Sequence, residues 1–145
     1  MQTESPPAID LTQYAEAIDP ALAEGTPCIW ASASKDGTVD IAPKGSTMVF
    51  DKDHLAFLER SHGKTIDNLR QNPSVAMIYR SPERKVGARR FYGVVEQVVG
   101  SGDLREQIRG RTIQAELDRD PDNRGVGVLV RIDRIVEGGR DVQRR

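Results

Sequence analysis

Apolar and polar positions along this chain predict a succession of short strands interrupted by three short helical stretches. Ile9, Leu11, Tyr14, Ala15, Ile18 and Leu22 recur at helical spacing, which predicts an N-terminal helix over residues 9–24. Thr12 is placed to cap it, and Gly25 with Pro27 to stop it. Residues 1–8 are polar and proline-bearing, the pattern of a loose arm. Residues 28–34 (Cys-Ile-Trp-Ala-Ser-Ala-Ser) read as a strand, and Lys35-Asp36-Gly37 carries the turn chemistry of a hairpin. A second strand over 38–50 contains Pro43 and Gly45, which suit a bulge, an edge or a close approach of ligand to bare backbone. Residues 51–53 then turn into a third strand, His54 to Glu59.

Past that strand the period changes. Ser61-His62-Gly63-Lys64-Thr65 opens a short helix that closes on Asn72-Pro73, because proline disfavours helical geometry in the residue before it. Residues 75–79 form a nearly continuous apolar strand, 80–88 a basic loop, and 89–99 a long strand with Gly93 inside it. Residues 103–117 read as a charged amphipathic helix weakened by Gly110, and 119–124 as a solvated loop. A last strand alternates over 126–136, and Gly138-Gly139 ends it, leaving 138–145 as a tail. The expectation is a mainly β single domain: six short strands with antiparallel pairing, of the kind that closes into a small barrel. Strands two and three leave no room for the crossover helices of a parallel sheet.

Composition narrows the function. With 145 residues and a net charge of −1 there is no global basic field for nucleic acid. A lone cysteine, Cys28, rules out an intrachain disulfide framework and reads as a small core residue. No apolar run approaches the roughly 18 residues of a membrane span, and the N-terminus lacks a basic region followed by an apolar stretch; the expectation is a cytoplasmic protein. His54 and His62 stand without a paired carboxylate pattern, so no metal site is expected.

The candidate chemistry sits where the third strand meets its helix. A helix start offers free N–H groups and the positive end of its dipole, and Lys64 adds a full charge, so residues 60–65 suit a phosphate-bearing ligand. Arg80, Arg84, Lys85, Arg89 and Arg90 form a second basic cluster, read either as a solvated face or as an anionic pocket. Trp30, Phe91 and Tyr92 read as core or interface.

An ordered set of segments resembles the pyridoxamine 5′-phosphate oxidase-like family of flavin-binding split barrels. The matching pieces are residues 31–37 (Ala-Ser-Ala-Ser-Lys-Asp-Gly), 42–46 (Ala-Pro-Lys-Gly-Ser), 55–58 (Leu-Ala-Phe-Leu), 61–65 (Ser-His-Gly-Lys-Thr), Asn68-Leu69, 72–76 (Asn-Pro-Ser-Val-Ala) and 90–93 (Arg-Phe-Tyr-Gly). The resemblance spans about residues 28–136 and implies a six-stranded antiparallel split barrel, dimeric, with FMN in a groove between subunits. It implies Lys64 and Thr65 at the flavin phosphate, with Arg60, Ser61 and His62 around it, and Glu59 at the ribityl chain or phosphate. Lys44 is implied near the ring system, Gly45 and Ser46 alongside it through backbone and hydroxyl contacts, and Arg90 reaching the cofactor from the neighbouring subunit. A flavin-dependent oxidoreductase acting on a small organic substrate is the implied function. The same fold also implies alternatives: a deazaflavin-dependent reductase, or a non-catalytic module holding flavin or, less favoured, haem.

The likeness stops short of vitamin B6 oxidation. Val39 stands where the oxidases begin their second strand with arginine, and Gly87 where they have glutamine. The last residues lack the arginine–histidine signature that grips pyridoxal phosphate.

Overall fold

The computed structural model describes residues 4–80 and 88–145. Among them run a 3-10 turn (Leu11–Tyr14), α1 (Ala15–Ile18), β1 (Ile29–Ala33), β2 (Val39–Pro43), β3 (Met48–Val49), β4 (His54–Glu59) and α2 (Lys64–Gln71). Then follow β5 (Ser74–Tyr79), β6 (Arg89–Val99), α3 (Asp103–Gly110), α4 (Gln114–Leu117), β7 (Val126–Glu137) and β8 (Arg140–Arg144). Every pairing is antiparallel, in the order β2-β1-β5-β6-β7-β4-β3, with β8 added to β7. The sheet curls into a split barrel whose two ends, β2 and β3, are sequence neighbours separated only by residues 44–47.

The described residues form eight strands, not six. The expected second strand breaks at a turn in which Thr47 N–H bonds the Lys44 carbonyl at 3.2 Å, giving β2 and β3. The expected tail is instead strand β8. Gly138 and Gly139 both take positive φ (55° and 78°), the conformation a two-residue hairpin needs, so they reverse the chain rather than end it. β8 is charged and shows no apolar alternation; Arg134 on β7 and Arg144 both pair with its Asp141.

The N-terminal helix is shorter than 9–24 and its cap differs. Asp10, not Thr12, is the N-cap, accepting the Thr12 N–H at 3.1 Å. Helix ends at Ile18, and turns cover the stretch after Pro20 up to Gly25, whose φ is +79°. The long helix expected over 103–117 is two, broken at residues 111–113. Arg84, Lys85 and Gly87 lie outside the described residues.

Two apolar layers explain why β4 reads as a continuous hydrophobic run. Leu55 and Phe57 face the barrel interior, packed with Trp30, Met77, Phe91, Val128 and Val130. Ala56 and Leu58 face the other way, onto Met48, Ile108 of α3 and Leu129. A strand buried on both faces loses the polar alternation of a half-exposed one. Among the described residues, no helix is long and apolar enough to cross a membrane, and no cluster of three metal-ligating side chains occurs.

Candidate functional site

Pro43 ends β2, and the turn through Lys44, Gly45 and Ser46 carries the chain past the end of β4. This juxtaposition opens a cavity of about 300 Å³ lined by Lys44, Gly45, Ser46, Glu59, Arg60 and Ser61, six of the sequence-predicted residues. Leu22, Pro27, Pro43 and Leu58 supply apolar wall, while Glu116 and Arg119 close it from α4 and beyond.

Charges in this cavity are largely paired. Lys44 Nζ lies 2.6 Å from Glu59 Oε2, with side-chain exposures of 11% and 5%. The other Glu59 oxygen accepts from Ser61 N–H (3.2 Å) and its hydroxyl (3.0 Å). Arg60 Nε donates to Glu116 Oε2 at 2.5 Å. Ser46 is turned inward: its hydroxyl accepts from Leu58 N–H at 2.8 Å and donates to the Leu58 carbonyl at 2.9 Å, stitching β4 to the turn.

The helix start is a separate place. Gly63 is the N-cap of α2 and brings no side-chain oxygen, so the N–H groups of the first turn have no side-chain cap. Lys64 is exposed there, with no acidic partner among the described residues, while Thr65 is buried. Lys64 borders an open groove shared with Ser34, Lys35, Asp36, Thr38 and Gln71. Hydrogen bonds from the Ser34 hydroxyl and then from Thr38 hold Asp36 well below the usual carboxylate range, at about 2. His62 points elsewhere, its Nε2 donating to the Arg124 carbonyl at 3.0 Å.

Arg90 lies on the outward sheet face, in register with Ile78, which pairs with Ile29, which pairs with Pro43. Three strand spacings, roughly 14 Å, therefore separate it from Pro43. Its face is apolar: Val39 and Ile41 are 77% and 69% exposed, and Ile29 and Ile78 join them. The predicted residues thus fall into three groups within one chain: the cavity, the α2 start with His62 behind it, and the outward face.

Sequence reasoning missed Glu116 and Arg119. Glu116 lies 56 positions from its partner Arg60, on a four-residue helix with no motif of its own. Gly45 was the one local hint, since a Cβ there would overlap the Glu116 carboxylate. Cys28 is core, as its setting implied: burial pushes its thiol up to about 12, so it stays protonated and unreactive. Trp30 is core too, its indole N–H bonding Thr47 Oγ1 at 2.9 Å.

The family model for pyridoxamine 5′-phosphate oxidase matches residues 14–134. Among solved structures, HupZ of Group A Streptococcus superposes with a TM-score of 0.71 at 19% identity, covering 92% of this chain and 98% of its own. An FMN-binding protein from Syntrophomonas wolfei gives 0.67 at 15% identity, covering 88% and 87%. An F420 reductase gives 0.61 at 21% identity, covering 83% and 96%. No curated protein matches the chain.

Proposed function

Since the chain belongs to the pyridoxamine 5′-phosphate oxidase family, we propose that it is a homodimeric FMN-dependent oxidoreductase acting on a small organic molecule. The observation that carries the cofactor assignment is the start of α2. Its first-turn N–H groups lack a side-chain cap, and Lys64 beside them has no acidic partner among the described residues. Lys44 and Arg60, by contrast, are already neutralised by Glu59 and Glu116. A phosphate near charge −2 calls for uncommitted donors, and the α2 start has them.

In this reading Lys64 and the α2 N–H groups hold the phosphate, with Thr65 packed beneath. The ring lies against Pro43 and the Lys44–Glu59 pair on one side of the 300 Å³ cavity, leaving the side lined by Gly45, Glu116 and Arg119 for substrate. Flavin, when bound, supplies the hydride chemistry; the chain positions the partners and excludes water. The apolar outward face is covered by a second copy, which brings its own Arg90 toward the groove. Flavin is favoured over haem because both histidines are engaged within the chain: His54 by Asp51 and Glu96, and His62 by the Arg124 carbonyl. The F420 reductase keeps a deazaflavin reductase as the second reading, since that cofactor also carries a phosphate for the same donors.

Flavin fluorescence quenching tests this. FMN is expected to bind the wild-type chain, and Lys64→Ala to weaken binding about tenfold or more without changing the thermal stability of the flavin-free protein. Equal affinity in the variant, or no binding of FMN or deazaflavin by the wild type, would overturn the assignment.

A further inference from the structure

The cavity beside Lys44 contains an acidic oxygen that the chain leaves unsatisfied. Glu116 is 5% exposed, and its Oε2 takes the Arg60 guanidinium. Its Oε1 lies against the bare backbone of Gly45, and no described residue donates a hydrogen bond to it. A carboxylate oxygen that receives no donor from the chain is free to accept one from a ligand. Glu116 also lines the cavity, so that donor has a place to come from.

The inner wall is otherwise neutral, because Lys44–Glu59 and Arg60–Glu116 cancel in pairs. The mouth differs. Arg119 lines both this cavity and an adjoining cleft of about 320 Å³ shared with Arg60, His62 and Arg124. Neither Arg119 nor Arg124 has an acidic partner among the described residues. Asp120 beneath them is occupied by Arg109 at 2.5 Å and by the N–H groups of Arg124 and Gly125, both at 2.9 Å. Asp122 is the remaining acidic group on that cleft.

We propose that the cavity takes a small organic molecule with an O–H or N–H donor at one end and an anionic group at the other. The donor meets Glu116 Oε1 and the anion meets Arg119. Glu116 is then the residue that sets specificity: its free oxygen can only accept, so it rewards a donor at the inner end and offers an anion nothing there. Gly45 makes the arrangement possible, since any side chain at that position would push the carboxylate aside. This substrate class rests on the reading of the cavity as the substrate chamber.

The test titrates isotope-labelled full-length protein, without flavin, with the hydroxy acids from glycolate to 4-hydroxybutyrate. Their parents, acetate to butyrate, serve as the comparison, and the amide signals of Gly45 and Arg119 as the readout. One hydroxy acid of matching length is expected to bind about tenfold tighter than its parent. Glu116→Gln is expected to abolish that preference, and Glu116→Asp to keep part of it. Arg119→Gln is expected to weaken hydroxy acid and parent alike by a similar factor. Equal affinity of every hydroxy acid and parent, no binding of any of them, or a preference that survives Glu116→Gln overturns the proposal. If Glu116→Gln does not fold, loss of the preference in Glu116→Asp with unchanged Arg119 signals overturns it instead. Flavin binding is measured separately, so a protein that selects hydroxy acids but binds no flavin refutes the cofactor assignment alone.

Discussion

Lys44 and Glu59 meet as a buried ion pair, Nζ to Oε2 at 2.6 Å, across the gap between the turn after β2 and the end of β4. Lys44 is the one group facing that oxygen among the described residues, so the two side chains stand or fall together. Lys44→Met is expected to lower stability by about 3–5 kcal/mol, because it strands a charge away from water. Adding Glu59→Gln should recover most of the loss. Urea denaturation of both variants checks this, and a single variant within about 1 kcal/mol of wild type would contradict it.

Gly93 and Arg131 make a second intolerant contact. A Cβ on Gly93 would overlap the Arg131 carbonyl, at a point where the β6–β7 register shifts. Backbone cannot swing away as a flexible side chain does, so Gly93→Ala is expected to cost about 3 kcal/mol. Gly110→Ala is the control, since open space surrounds that position and alanine favours a helix. Thermal melts of the two variants should move in opposite directions.

His54 gives the fold a pH dependence. Burial alone would lower its pKa, but hydrogen bonds to Asp51 (2.8 Å) and Glu96 (2.5 Å) outweigh it and raise the value above the usual 6.5. A folded-state pKa above the unfolded one favours folding of the protonated form. That stabilisation is complete below about pH 6.5 and fades as pH rises through the folded value. Wild type should therefore exceed His54→Gln in stability most at pH 5.5 and by progressively less toward pH 9. A gap that widens with pH would reverse the assignment.

The outward face predicts self-association. Val39, Ile41, Ile29 and Ile78 expose an apolar strip across three strands, and monomers rarely leave such patches uncovered. Sedimentation is expected to show twice the 16.0 kDa chain mass, and Ile41→Asp to return it to a single chain. A wild type that sediments as one chain at tens of micromolar would remove the shared groove from the functional reading.

What could be read from residues alone followed local chemistry. β4, α2 and β6 were legible because an unbroken apolar run, an Asn72-Pro73 stop and flanking glycines mark them within a few positions. β8 was not, because hairpin geometry and ion pairs rather than apolar alternation hold it. The same distinction governs the site. Lys64 sits in a local motif, whereas the pairing of Lys44 with Glu59, and of Arg60 with Glu116, arises only when the sheet curls. The resemblance implies a ligand contact at Ser46, and only the curled sheet shows that its hydroxyl also bonds the backbone of Leu58.

Because β2 and β3 are the two ends of the sheet and only residues 44–47 join them, the pocket is built on the seam of the barrel. A molecule lodged there touches the last residue of β2, the turn that leads to β3 and the end of β4 beside it, and acts as a clasp. Occupancy should then slow amide exchange in β2 and β3 together, including at residues it never touches.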